Sequence, residues 1–205
     1  MTITRKSILI LFLPIATIAL AAAYLTKSPP FKDAPTPKIK AVDVCQSLGN
    51  SKRLVPALQR ALPEKRKYKF SETRLTTHGH RYQIHCSARD ESRHTKIILR
   101  SRAIQEMSRE DWIGHHMNNF SDEHPLLDFK AGLTATASIS KAGIQTPCFP
   151  KGRYVGGRHN LFIDVYLREA GEASDKDTRQ SLIDIVRSAA EHAHKDAKCE
   201  LPSKL

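Results

Sequence analysis

An uncharged run from Ser7 to Leu25, preceded by Arg5 and Lys6, takes the amino terminus of this chain out of any globular core. At ~1.5 Å per helical residue, about nineteen residues suffice to cross a hydrocarbon layer of ~30 Å. Residues 1–26 are therefore expected to be a signal anchor or transmembrane helix, with Tyr24 at the interface. The alternative is a cleaved secretory signal ending in the small residues Ala21-Ala22-Ala23. No cysteine lies close enough to that cluster to carry a lipid, since the first is Cys45.

Lys27, Lys32, Lys38 and Lys40 follow the segment and weaken the charge asymmetry that orients single-pass proteins. The cysteines decide instead. Four well-separated cysteines suit an oxidising compartment, and large domains translocate largely regardless of charge. The expectation is a cell-membrane, single-pass protein with its carboxy-terminal domain on the extracytoplasmic side, or a secreted one after cleavage. Residues 27–40 contain Pro29, Pro30, Pro35 and Pro37 and read as an extended spacer. Residues 41–205 then form one domain of ordinary size.

The formal charge is +12 and drops by two without Arg5 and Lys6, so the domain itself is basic. Its expected partners are anionic: lipid head groups, a cell-wall polymer or an acidic protein. Nucleic acid is disfavoured for an exported domain. Candidate anion-binding residues are Lys65, Arg66, Lys67 and Lys69 in the densest basic run, with Arg100, Arg102, Arg153 and Arg158 further along.

Cys45, Cys86, Cys148 and Cys199 allow three disulfide connectivities. Cys45 falls in an early helical segment and Cys86 in a strand of the first half. Cys148 ends a strand of the second half, and Cys199 follows the last helix. Their placement favours Cys45–Cys86 and Cys148–Cys199. The separations of forty residues or more, without C-x-x-C, argue against zinc and redox chemistry.

Periodicity predicts an α+β fold, an antiparallel sheet flanked by amino- and carboxy-terminal helices. Ser51 is expected to cap a helix carrying Leu54, Val55, Leu58, Ala61 and Leu62, stopped by Pro63. Strands are expected over Lys67–Leu75, His80–Ala88 and Thr95–Ile104, then a short helix and loop over 108–130. Leu133–Ser140 and Leu161–Arg168 alternate as half-exposed strands, with a hairpin around Gly152 and Gly156-Gly157. Ser174 and Asp177 open a final helix with Leu182, Ile185, Val186, Ala189, Ala193 and Ala197 at helical spacing.

His78-Gly79-His80 would align two imidazoles on a strand, but Gly79 favours a turn, so no metal or cofactor is expected. There is no G-x-S-x-G, H-E-x-x-H or phosphate-loop signature, and no catalytic residue is assigned.

The leader, the Pro-rich spacer, Val44-Cys45-Gln46-Ser47-Leu48, Ile84-His85-Cys86-Ser87, Leu161-Phe162-Ile163-Asp164-Val165 and the helix ending at Cys199 together resemble exported or membrane-anchored domains of actinobacterial envelopes. That resemblance implies a small α+β domain without established catalytic residues. The expected function is a non-catalytic binding module for an anionic envelope component or acidic partner. Two other classes compete with it: an envelope hydrolase without a recognisable motif, and a secreted effector or inhibitor.

Overall fold

A computed structural model describes residues 39–65, 67–117 and 124–205. The expected anchor or signal, residues 1–26, and the spacer apart from Ile39 and Lys40 lie outside them. No helix among the described residues is long and apolar enough to cross a membrane.

Seven antiparallel strands form one sheet: β1 (Lys69–Thr76), β2 (Gln83–Arg89), β3 (Thr95–Gln105), β4 (Leu127–Asp128), β5 (Thr134–Ala137), β6 (Lys141–Tyr154) and β7 (Gly157–Leu167). Their order is β1-β2-β3-β7-β6-β5-β4. Two meanders thus meet at β3 and β7, where Ile97–Gln105 pairs with His159–Leu167. The chain is α+β, as expected.

Helices α1 (Ser51–Ala61) and α3 (Asp175–Asp196) pack on one face of the sheet and on each other. Leu54, Leu58, Leu182, Ile185, Val186 and Ala189 meet Ile84, Leu99, Leu161, Ile163 and Val165 there in a single buried core. Helix α3 begins as its sequence predicts: Ser174 Oγ accepts a hydrogen bond from Asp177 N–H at 3.2 Å. The Ser174 hydroxyl in turn donates to the Asp177 carboxylate at 2.6 Å.

Each disulfide fastens a helix end to a strand. Cys45, in the turn before α1, bonds Cys86 of β2, and Cys148 of β6 bonds Cys199 beyond α3. This is the pairing that the chain positions favour. Loops with sequence separations of 41 and 51 residues lose conformational freedom in the unfolded state, worth about 4 kcal/mol per bridge in the chain-entropy model.

Several expectations need correction. Asn50, not Ser51, occupies the N-cap position of α1. β1 starts at Lys69 rather than Lys67, and β2 at Gln83 rather than His80, because Gly79–Arg81 form a 3₁₀ turn with Gly79 at φ +69°. Leu133–Ser140 yields only the short β5. Cys148 sits inside the fourteen-residue β6 rather than at a strand end, and Gly152 belongs to that strand, leaving Val155 and Gly156 as the hairpin turn.

The largest difference concerns exposure. β7 is buried on both faces from His159 to Leu167, not half exposed. Its second face is covered by the segment after β3, through helix α2 (Arg109–Trp112) and a π turn, Ile113–Met117. Trp112, Met117 and Phe162 form a second apolar cluster there, with Ile104, Met107 and Leu126 at its edge. Gly143 of β6 is the seat for Trp112: a Cβ on it would lie 2.6 Å from the indole ring.

Candidate anion-binding face

The cover reaches only half of the second face, and strands β1–β3 leave the rest open. Antiparallel register fixes which side chains share it. Thr73, His85, Arg100, Asp164 and Gly143 form one cross-strand row. A neighbouring row runs Ser71, Ser87, Ile98, Tyr166, and the next Gln83, Arg102, Phe162. Lys69 pairs with Arg89 at the end of β1. Among the described residues, β1–β3 place Lys69, Arg89, Arg100 and Arg102 on this face and no carboxylate.

Asp164 of β7, which is 0% exposed, stands in register with Arg100. Its Oδ2 accepts from Arg100 Nε at 3.1 Å and from an Arg102 terminal nitrogen at 3.3 Å. A second Arg100 nitrogen donates to the Tyr166 hydroxyl at 2.6 Å, and the guanidinium lies 4.6 Å from the centre of that ring. The Tyr166 hydroxyl itself donates to the backbone carbonyl of His116. Two permanently charged guanidiniums therefore share one buried carboxylate, and the cluster carries a unit of uncompensated positive charge. Arg102 Nε and Asp164 Oδ1 are buried without a hydrogen-bond partner among the described residues.

Two histidines flank the triad. His116 Nδ1 lies 3.4 Å from an Arg102 nitrogen. A guanidinium can only donate, so Nδ1 is the acceptor and any proton of the neutral ring is on Nε2. Burial, then the charge of Arg102, pushes His116 below the usual histidine range. His85 is lowered in the same way, by partial burial first and then by Arg100 and Arg102. Around His85, a groove of about 300 Å³ is lined by Ser71, Thr73, Ser87, Arg89, Thr95 and Ile98.

The residues nominated from sequence divide between this face and other parts of the surface. Lys69, Arg100 and Arg102 share the face, as described. Lys65 and Lys67 lie in the connection between α1 and β1, half-buried and exposed respectively, and Arg66 is outside the described residues. Arg153 and Arg158, on the two arms of the β6–β7 hairpin, are paired with Glu200 at 2.7 Å and Glu106 at 3.4 Å. Sequence reasoning missed Arg89, His85, Asp164 and Tyr166 as members of the site. A signal for Asp164 was present: Phe162 and Tyr166, two residues either side on its own face of β7, are too large and apolar for an open sheet surface.

Comparison of the chain with protein-family models, with curated proteins and with solved structures finds no match. The two disulfides, with no free thiol, suit a domain that folds in an oxidising compartment.

Proposed function

We propose that the protein is an extracytoplasmic binding module. In this reading residues 1–26 hold it at the membrane, and the open face of β1–β3 takes an anionic envelope component. The observation that carries the proposal is the sign of that face. Lys69, Arg89, Arg100 and Arg102 converge on it without a carboxylate from the strands that form it, and the buried Asp164 neutralises only one of them. The hairpin arginines, each beside a glutamate, have weaker claims.

Arg100 and Arg102 are already held in place by Asp164 and Tyr166. Binding an anion there costs little side-chain entropy compared with ordering free surface lysines. The test is the affinity of the purified protein for an anionic polymer over a series of salt concentrations. A steep loss of affinity with salt, and a further loss on charge reversal in Lys69→Glu/Arg89→Glu, is expected. Binding that ignored both changes would refute the electrostatic reading.

A further inference from the structure

We infer that the open face recognises phosphate, and that its ligand is a phosphodiester-linked polyol or sugar chain lying along the groove between His85 and Arg89. The inference rests on the reading of this face as an anion site and narrows it to one chemistry.

The donor set exceeds what a carboxylate can use. A carboxylate offers two oxygens, and Asp164 shows how they are spent here, one of them accepting from both arginines. What remains beside the triad is the His85 imidazole, the Arg89 guanidinium and the hydroxyls of Thr73 and Ser87. A tetrahedral phosphate has enough oxygens and the right spread to engage donors arriving from several strands. Neighbouring strands set those donors ~5 Å apart at Cβ, so one phosphate can touch His85 and its cross-strand partner Thr73 together.

The groove argues for a chain rather than a membrane surface. It is recessed across three strands, and its lining is mainly hydroxyl, imidazole and guanidinium, with Ile98 half-buried among them. Polyol or sugar hydroxyls would find Ser71, Ser87 and Thr95 between charges.

Acidification should tighten binding. The charged or titratable groups that face His85 are Arg89 on its own strand, Arg100 and Arg102 from β3 and Asp164 from β7. Across the triad lie Tyr166 and, from the π turn, His116 with His115 beside it. Proton uptake by His85 or His116 adds a donor and a charge to a cluster whose single carboxylate, Asp164, is already outnumbered by Arg100 and Arg102.

The test titrates the purified protein with glycerol-phosphate polymer, with polyglutamate of equal length and charge, and with phosphatidylglycerol vesicles, at fixed ionic strength. Because altering Arg100 or Arg102 disturbs a buried carboxylate, the variants are the exposed His85→Gln and the paired Thr73→Val/Ser87→Ala. The phosphodiester polymer should bind about tenfold tighter than polyglutamate, the worth of one charge-assisted hydrogen bond. Binding should strengthen as pH falls below the usual histidine range, where the lowered His85 and His116 take up protons. His85→Gln should lose most of that pH response while melting like the wild type. Equal affinity for both polymers would overturn the phosphate inference and leave the basic-face reading standing. Binding to neither would remove both, and binding to vesicles alone would overturn the polymer.

Discussion

Two charge triads stand on the β3–β7 ladder, built with opposite sign. In one, Arg100 and Arg102 share Asp164. In the other, Lys96, 5% exposed, is held between Asp90 at 3.3 Å and Glu169. The second is closed on itself: Asp90 also accepts from the Ser92 hydroxyl at 2.6 Å and from His94 N–H at 3.1 Å, which completes a tight turn between β2 and β3. The first stands beside a hydroxyl-lined groove, in register with its His85. The Asp90 cluster uses its contacts to shape a turn, whereas the arginine cluster leaves an excess of positive charge next to the open face, and that difference separates a structural ion network from the proposed binding site.

The comparison can be broken most forcefully at Asp164. Asp164→Ala should destabilise the protein by about 3 kcal/mol, because it strands two partly buried guanidiniums. The urea midpoint reads this directly. Lys96→Met should cost less, about 2 kcal/mol, since Glu169 is half exposed and can return to water, while the buried Asp90 keeps its hydrogen bonds from Ser92 and His94. Equal losses would mean that both triads are structural.

Acid separates the two further. The Ser92 hydroxyl, chiefly, together with Lys96 and the His94 amide, lowers the Asp90 carboxyl from 3.8 to about 2. A depressed acid stabilises the fold above its unfolded pKa, and the contribution disappears as pH falls from 3.8 toward 2. Wild type and Asp90→Asn should therefore differ in urea midpoint at pH 5 and converge near pH 2. The smallest effect is expected at the groove. His85→Gln and Thr73→Ala should change stability by no more than ~0.5 kcal/mol, because both side chains are exposed. A large loss at either would identify them as packing residues.

How much of this was legible in the sequence depends on how many faces an element buries. Helix α3 buries one, so its period and its Ser174 cap were plain. β2 likewise buries Ile84, Cys86 and Ala88 and exposes Gln83 and His85, so its two faces were plain although its start at Gln83 was not. β6 was obscured because Lys141–Phe149 is buried throughout, which erases alternation, and because Pro147 and Pro150 argue against a strand. Both prolines are tolerated because β5 pairs with β6 only as far as Gln145, and beyond it the tail after α3 donates to the Cys148 carbonyl, so no neighbour on that edge calls for an N–H from Pro147 or Pro150. The site was half legible. Charge marked Arg100 and Arg102, but their convergence on Asp164 depends on a β3–β7 pairing sixty residues apart that no local pattern announces.

The central claim is that the open face of β1–β3 is where anions bind. Amide and imidazole shifts of the isotope-labelled protein during titration with glycerol-phosphate polymer test it most directly. Changes should concentrate at Lys69, Thr73, His85, Ser87, Arg89, Arg100 and Arg102. Changes centred instead on Arg153 and Arg158 of the β6–β7 hairpin, or on Lys65 and Lys67, would contradict it.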